Sequence, residues 1–174
     1  MEGLQPRSAL LPVGMLAPDF EAVTDRGETV RLSDWRGRKR VVLVFYPGDD
    51  TPVCTAQLCA LRDHWSALEA RDAVVLGINP AAGSRHRRFA ERHRFSFPLV
   101  VDAGGRIAAA YGCRGLFGWV RRTVYVVDRQ GRVVMARRGN PAPAVVLGVL
   151  RDLEDDMSVV EAGVLSEGGS DTLR

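Results

Sequence analysis

The chain has 174 residues, of which 46% are hydrophobic and 26% are charged, and its net charge is +3. This composition is ordinary for a globular domain. Acidic and basic residues are interspersed, so the sequence lacks the basic stripe with interleaved aromatics that is typical of nucleic-acid binding. It also lacks the run of about 20 apolar residues that a transmembrane helix needs. We therefore expect neither nucleic acid nor a membrane as a partner.

The apolar pattern predicts strands that alternate with helices. In chain order, the predicted strands are 19–24, 29–32, 40–46, 73–79, 97–102, 123–128 and 132–138, and the predicted helices are 53–70, 83–93, 107–111 and 142–153. Turns at Gly27 and Gly131 join two pairs of strands as hairpins. The pattern predicts an α/β fold with a central mixed β-sheet flanked by helices and an N-terminal β-hairpin. Residues 13–153 are expected to form the domain, with 1–12 and 154–174 as frayed ends.

The helix predicted over 83–93 is rich in Arg and His, which we expect on a solvated face. The N-terminus has no basic start followed by an apolar core, so no secretory signal is visible. Three cysteines are too few for a secreted disulfide scaffold of this size. We therefore expect a cytoplasmic location, where a close cysteine pair is more often catalytic or metal-binding than structural.

Two of the three cysteines lie five residues apart in the stretch FYPGDDTPVCTAQLC, which ends at Cys59. Pro52 favours the first turn of a helix, with Thr51 as its N-cap, and Cys54 follows within that turn. The free backbone N–H groups and the positive end of the helix dipole favour a thiolate there. Because a buried strand precedes the loop, we expect the site at the carboxyl edge of the sheet, where α/β proteins form crevices.

Cys54 and Cys59 cannot form a disulfide while the predicted helix is intact. Residues five apart in an α-helix have Cα atoms about 8–9 Å apart, whereas a disulfide needs less than roughly 7 Å. The spacing favours a pair that meets only during a redox cycle over a static bridge. Two other interpretations stay open. In the first, both cysteines simply pack as small buried apolar residues. In the second, they bind a metal ion together with His64. Without a metal, His64 is expected to be a solvated helix residue, with a general base as the alternative.

The residues from Tyr46 to Thr55, YPGDDTPVCT, resemble the active-site loop of the peroxiredoxins, which carry a Pro-x-x-x-Thr-x-x-Cys motif. The second cysteine, in CTAQLC, resembles the Q-type subgroup, also called bacterioferritin comigratory protein. The segments APDF, LSDWRG, VVLVFYP, LGIN, FPLVVD and AAAYG resemble family segments in the same order. The resemblance runs from about Gly14 to Leu153 and implies a thioredoxin-like fold.

The resemblance also implies roles for individual residues. Cys54 would be the peroxidatic cysteine, which a peroxide oxidises to a sulfenic acid, and Cys59 the resolving cysteine, which condenses with it to an intramolecular disulfide. Thr51 would hydrogen-bond the thiolate and the peroxide, and Pro47 would shield the site from water. In RTVYVVD, the arginine of the family would be Arg122, which stabilises the thiolate and polarises the O–O bond. The alternative for this arginine is a surface residue at the start of a strand.

Two positions depart from the family pattern. Val53 stands where the Q-type motif usually has Gly, and Gln57 stands where the family generally has Glu. Gln keeps a hydrogen-bond acceptor but loses the charge near Arg122. The candidate substrate pocket consists of Tyr46, Val53, Gln57, Phe117 and Trp119.

The loop RGLFGWV, which precedes Arg122, has two interpretations. Leu116, Phe117 and Trp119 form either an apolar collar, for bulky hydroperoxides or for the reductant, or a part of the core. Cys113, just before this loop, is expected to pack structurally. A second resolving role or a mixed-disulfide site is the alternative for Cys113.

The expected function is that of a thiol-specific peroxidase, which reduces hydrogen peroxide and organic hydroperoxides and is recycled by thioredoxin or a similar dithiol reductant. No metal or other cofactor is expected, because the sulfur itself carries the two electrons. An intramolecular resolving cysteine permits a monomer or a weak homodimer. Two alternatives on the same fold stay open: a thiol–disulfide oxidoreductase, although that class prefers a CxxC pair, and a copper-binding or redox-sensing module.

Overall fold

The computed structural model describes the backbone of residues 7–166 and the side chains of residues 7–156. The strands are β1 (Glu21–Val23), β2 (Thr29–Arg31), β3 (Arg40–Phe45), β4 (Ala73–Asn79), β5 (Leu99–Val101), β6 (Thr123–Val127) and β7 (Val133–Arg138). The α-helices are α1 (Pro52–Asp63), α2 (Trp65–Glu69), α3 (Gly83–His93), α4 (Arg106–Ala110) and α5 (Pro143–Ser166). No helix within these residues is long and apolar enough to cross a bilayer.

A mixed five-stranded sheet in the order β5-β4-β3-β6-β7 forms the centre of the fold. Strand β3 pairs in parallel with β4 and antiparallel with β6, and all six of its residues are buried. Val42 and Val44 pack under α1, α2, α3 and α5, whereas Leu43 and Phe45 pack on the opposite face, which α4 covers. Burial on both faces explains the continuous apolar run, since each such side chain stabilises the fold by about 1.5–3 kcal/mol. The predicted mixed sheet flanked by helices is confirmed.

The predicted N-terminal hairpin is present and covers one edge of the sheet. Strands β1 and β2 pair antiparallel around Gly27, whose φ of +78° suits a glycine. Beyond β1, the backbone N–H of Asp25 donates to the carbonyl of Leu99 at 2.8 Å. The Asp25 carboxylate accepts the N–H of Leu99, also at 2.8 Å. These bonds satisfy backbone groups of the edge strand β5 that would otherwise be free to pair with another chain.

The helix predicted over 53–70 was wrong as a single element. The chain leaves helical geometry at His64, with φ −101° and ψ 12°, and this residue separates α1 from α2. The exposed His64 ring hydrogen-bonds the Ala60 carbonyl at 2.8 Å. It thus competes with backbone N–H groups of the last turn for this acceptor. Neither Gly nor Pro marks this break in the sequence, so the apolar pattern gave no sign of it.

The last helix is longer than the predicted 142–153, and residues 7–12 make contacts with the domain. Helix α5 continues to Ser166, because no proline interrupts the helix-compatible sequence after Leu153. Leu11 is buried, and the Arg7 N–H donates to the Ala109 carbonyl at 2.8 Å, which ties residues 7–12 to the domain. The predictions for residues 1–6 and 167–174 lie outside the described residues, and the domain limits 13–153 stay a prediction.

Candidate active site

Cys54 is the third residue of α1, directly after the loop that leaves β3. Pro52 occupies the first turn and Thr51 the N-cap position, as the sequence predicts. The Cys54 side chain is fully buried against Tyr46 and Leu58. A sulfur in the first turn lies near the free N–H groups and the positive end of the helix dipole, which favours its thiolate form.

Arg122 supplies a cation beside the sulfur. It precedes β6, where Thr123 pairs with Phe45 at the end of β3, so the sheet register brings Arg122 next to the loop. One guanidinium nitrogen lies 3.2 Å from Cys54 Sγ and another donates to Gln57 Oε1 at 2.6 Å. Arg122 is half-buried, whereas Arg121 is exposed, because successive side chains of an extended chain point to opposite sides. A surface role for Arg122 is therefore wrong.

Gln57 lies one helical turn beyond Cys54 on the same face of α1. It is buried, and its Oε1 accepts a hydrogen bond from Arg122. Its Nε2 is buried without a hydrogen-bond partner among the described residues. Gln57 thus holds the guanidinium in place without adding negative charge, as its chemistry predicts.

Thr51 and Pro47 lie on the loop that leads into α1. The Thr51 hydroxyl donates to the Gly48 carbonyl at 3.1 Å and makes no side-chain cap of α1. Thr51 holds the N-cap position by its backbone alone, and its hydroxyl is turned toward the loop rather than toward the sulfur. Pro47 is half-buried and lines a hollow of about 220 Å³, together with Pro80, Phe117, Gly118, Trp119 and Val120.

The side chains of the candidate substrate pocket separate into two groups. Phe117 and Trp119 are exposed by 98% and 68%, so the interpretation of these residues as core is wrong. Phe117 also has a φ of +56°, which is unusual for a residue with a side chain and holds it outward. Val53 is exposed too, on the first turn of α1. Tyr46 is fully buried, so it does not reach an open surface, and its hydroxyl donates to Asp49 at 2.7 Å.

Cys59 lies in the same intact helix as Cys54, and both thiols are free. Cys59 is half-buried, and its sulfur is 3.9 Å from His93 Nδ1 on α3. Five helical residues separate the Cα atoms of the two cysteines by about 8–9 Å. Bond formation therefore requires the first turn of α1 to unwind.

Sequence reasoning missed a buried polar network beneath the loop. His86 was expected on a solvated face of its helix, but it is fully buried and contacts Asp49 of the loop. The available signal was its position: His86, Phe89 and Ala90 follow the i, i+3, i+4 spacing of the buried face of α3. The surrounding arginines concealed that spacing.

No three His, Cys, Asp or Glu side chains among the described residues are grouped closely enough to hold a metal ion. Cys54, Cys59 and His64, the ligand set of the metal interpretation, are therefore not such a group. Cys54 lies in the first turn of α1, and His64 follows its last residue.

Sequence comparisons with known proteins agree with the geometry of the site. The model of the AhpC/TSA family matches residues 13–136. The peroxiredoxin Bcp of Bacillus subtilis (strain 168) is 36% identical over 152 residues, which cover 83% of this chain and 96% of that protein. The chain belongs to the AhpC/TSA family. Within it, the chain is a Q-type peroxiredoxin, as the resemblance of its sequence indicates.

Further relatives agree with this assignment. The chloroplastic peroxiredoxin Q of Triticum aestivum is 39% identical over 122 residues, which cover 69% of this chain and 56% of that protein. The crystal structure of peroxidoxin BcpB from Mycobacterium tuberculosis superposes with a TM-score of 0.75 at 34% identity, over 80% of this chain and 96% of that chain. A peroxiredoxin Q structure from Xanthomonas campestris, at 24% identity and a TM-score of 0.74, is similar in fold and covers 84% of this chain and 98% of that chain. Peroxiredoxins are thiol-dependent peroxidases, and this chain is one.

The third thiol of this peroxiredoxin is held in the core. Cys113 is fully buried, and its sulfur donates to the Tyr111 carbonyl at 3.4 Å. Burial raises the pKa of the Cys113 thiol to about 11, although Thr123 and Arg138 act in the opposite direction. A buried thiol of high pKa is a weak nucleophile, which supports the structural interpretation of Cys113.

We expect Cys113 to resist alkylation in the native protein. At pH 8, a thiol of pKa about 11 is thiolate in only about one molecule in a thousand, and reagent has no access to it. Native protein treated with iodoacetamide and analysed by peptide mass spectrometry should carry label on Cys59 well before Cys113. Equal labelling rates at the two positions would contradict the burial of Cys113, and unfolded protein labelled at all three cysteines is the control.

Proposed function

We propose that this peroxiredoxin reduces hydrogen peroxide and organic hydroperoxides at Cys54, with Arg122 as the residue that stabilises charge. The observation that carries the proposal is the guanidinium nitrogen 3.2 Å from the buried Cys54 sulfur, in the first turn of a helix. A buried thiolate is costly unless a cation and hydrogen-bond donors compensate it. Arg122 and the helix N-terminus supply both.

The proposed first step is a displacement at oxygen. The Cys54 thiolate attacks one peroxide oxygen, the S–O bond forms, and the O–O bond breaks. The leaving oxygen takes the electron pair and a proton to give water or an alcohol, and Cys54 becomes a sulfenic acid. Negative charge moves from sulfur to the leaving oxygen, and the planar guanidinium can donate to both atoms.

Thr51 and Pro47 are proposed to complete the site. The Thr51 hydroxyl is exposed at the loop, so its hydrogen bond can be redirected from the Gly48 carbonyl to a bound peroxide. Pro47 has no backbone N–H, and its apolar ring, which lines a hollow with Phe117 and Trp119, is proposed to cover the sulfur from the side of the loop. Such a cover excludes water from the reacting atoms and strengthens the electrostatic effect of Arg122.

Cys59 is proposed to resolve the sulfenic acid. After the first turn of α1 unwinds, the Cys59 thiol loses its proton and its sulfur attacks the Cys54 sulfur. The S–S bond forms, the S–O bond breaks, and the leaving hydroxide takes up a proton to give water. A disulfide that forces a helix to unwind is strained and easily reduced. A thioredoxin-like dithiol then supplies two electrons and restores both thiols. This cycle fits a reducing cytoplasm and needs no second subunit, so a monomer or a weak homodimer is sufficient.

The exposed apolar side chains near the loop are proposed to widen the range of substrates. Phe117 and Trp119 line the same hollow as Pro47, and Val53 is exposed on the first turn of α1. Apolar walls favour the hydrocarbon part of an organic hydroperoxide over water. Tyr46 and Gln57 are buried and are not proposed to contact the substrate. Tyr46 hydrogen-bonds Asp49 of the loop, and Gln57 hydrogen-bonds Arg122.

The cysteine roles predict different single-turnover behaviour for two variants. Cys54→Ser should abolish turnover, because no other thiol lies beside Arg122. Cys59→Ser should react once with peroxide but fail to be recycled by thioredoxin, because no disulfide forms. Free thiols are counted after one equivalent of hydrogen peroxide, and the 54–59 peptide is examined by mass spectrometry. Full recycling without Cys59 would overturn its assignment, and Cys113→Ala, which should keep both steps, is the control.

Replacement of Arg122 by Lys tests the guanidinium. Lys keeps the charge but lacks the planar fork whose separate nitrogens contact Cys54 and Gln57, so the second-order rate constant for peroxide should fall by roughly tenfold or more. The rate constant is measured by stopped-flow tryptophan fluorescence. Arg121→Lys, an exposed neighbour in the same segment, is the matched control. Equal rate constants for the two variants would show that Arg122 takes no part.

The apolar wall predicts a change in substrate preference. Phe117→Ala with Trp119→Ala should lower kcat/KM for cumene hydroperoxide severalfold and leave kcat/KM for hydrogen peroxide nearly unchanged, because only the bulky substrate meets the wall. Val23→Ala, which removes an exposed apolar side chain from the hairpin, serves as the control. A parallel loss with both peroxides would remove these residues from the substrate pocket.

A further inference from the structure

A fully buried Asp–His pair lies beneath the active-site loop. Asp49, two residues before Thr51, is 1% exposed, and His86 of α3 is completely buried. His86 Nδ1 lies 2.7 Å from Asp49 Oδ2. The other ring nitrogen, Nε2, lies 3.1 Å from the backbone carbonyl oxygen of Asn79 at the end of β4. The pair thus joins the loop, helix α3 and the sheet at one point.

The partners of the His86 ring define its protonation state. A carbonyl oxygen only accepts hydrogen bonds, so Nε2 carries a hydrogen. Nδ1 faces the Asp49 carboxylate, which also accepts. Both ring nitrogens thus face oxygen atoms, an arrangement that an imidazolium, with a hydrogen on each nitrogen, satisfies.

The Asp49 side chain and backbone are hydrogen-bonded on several sides. The Tyr46 hydroxyl donates to Asp49 Oδ1 at 2.7 Å and lies 3.5 Å from His86 Nδ1. Burial, with a further contribution from Asp49, raises the pKa of Tyr46 well above its ordinary value, so the phenol keeps its proton and remains a donor. The guanidinium of Arg85 donates to the Asp49 carbonyl at 3.2 Å and adds positive charge from α3. The two carboxylate oxygens of Asp49 thus face Tyr46 and His86 respectively.

The loop has few other attachments of comparable strength. Asp50 pairs with Arg92 at 2.6 Å, but both side chains are solvent-accessible, and pairs of that kind contribute little. The Asn79 side chain donates to the Tyr46 carbonyl at 2.8 Å and holds the start of the loop. Between Pro47 and Thr51, Asp49 is the buried side chain, so the position of the loop depends on the ion pair.

We propose that His86 is a positioning residue of the peroxidatic site: as a buried imidazolium paired with Asp49, it fixes the loop that carries Pro47 and Thr51 beside Cys54. The inference rests on the proposed function of that site. His86 touches neither peroxide nor sulfur and acts through Asp49. Its anchor lies before Thr51, so the unwinding needed for disulfide formation begins after it, in α1.

The protonation state is tested on the wild-type protein without peroxide. In ¹⁵N-edited NMR at pH 7.5, both ring nitrogens of His86 should show the chemical shifts of an imidazolium, assigned by their loss in His86→Gln. A neutral ring pattern for His86 would overturn the ion pair. This experiment is independent of turnover, so failure of the peroxidase function and failure of the anchor give separate results.

The positioning role is tested by kinetics that separate two steps. His86→Gln and Asp49→Asn should each lower the second-order rate constant of Cys54 with hydrogen peroxide by about tenfold or more, since small displacements of catalytic groups have effects of this size. The first-order rate of disulfide formation should not fall, because this step depends on the unwinding of α1 more than on the position of the loop. The double variant should lose little beyond either single variant, because both substitutions remove one pair.

A matched variant separates positioning from general destabilisation. Phe97→Leu removes buried packing from the same core cluster as Phe89 and Tyr46 but leaves the ion pair intact. It should keep the peroxide rate constant within about twofold of the wild-type value, while its thermal stability falls. If His86→Gln and Asp49→Asn behave like Phe97→Leu, or slow both steps equally, the positioning role is refuted. Should His86→Gln fail to fold, Asp49→Asn decides the kinetic test, and the NMR signals of His86 are assigned by elimination with His64→Gln and His93→Gln, since the chain has three histidines.

Discussion

The contact between Arg122 and Cys54 is the interaction on which the site depends. A sulfur that is fully buried carries a negative charge only if a fixed cation compensates the loss of water. The pairing of β6 with β3 sets the position of Arg122, and the turn from β3 into α1 sets that of Cys54. The register of the central sheet is therefore part of the chemistry: a shift of one residue would turn Arg122 away from the sulfur.

The loop and the helix on either side of Thr51 meet opposite requirements. The loop is held from below by buried polar contacts, whereas the first turn of α1 must open for Cys59 to reach Cys54. The structure divides these tasks at Thr51, whose hydroxyl bonds to the Gly48 carbonyl instead of capping the helix. A missing side-chain cap weakens a helix terminus by about 1 kcal/mol, which makes the first turn easier to unwind.

The sequence alone predicted the elements whose residues are all buried to a similar degree. Strand β3 was predicted because both of its faces are buried, which leaves an unbroken apolar run. The break at His64 and the length of α5 were missed, because a side-chain hydrogen bond and the absence of a stop signal leave no trace in apolar periodicity. At the site, spacing and resemblance placed Cys54 and Arg122, which the structure brings together. They did not find His86, because a buried charge pair is defined by its partner in space, and its neighbours along the chain are arginines.

The distance between the two sulfurs in the folded state sets a limit on how much peroxide the enzyme tolerates. In the proposed cycle, the sulfenic acid at Cys54 remains next to Arg122 until α1 unwinds. A second peroxide molecule arriving in that interval oxidises it to a sulfinic acid, which thiols do not reduce. Two rates therefore compete: the rate at which α1 unwinds, and the rate of the second reaction with peroxide, which rises with peroxide concentration. Their ratio determines which fraction of the enzyme is recovered and which is permanently lost. The stability of one helical turn thus sets the oxidant dose at which the enzyme inactivates itself.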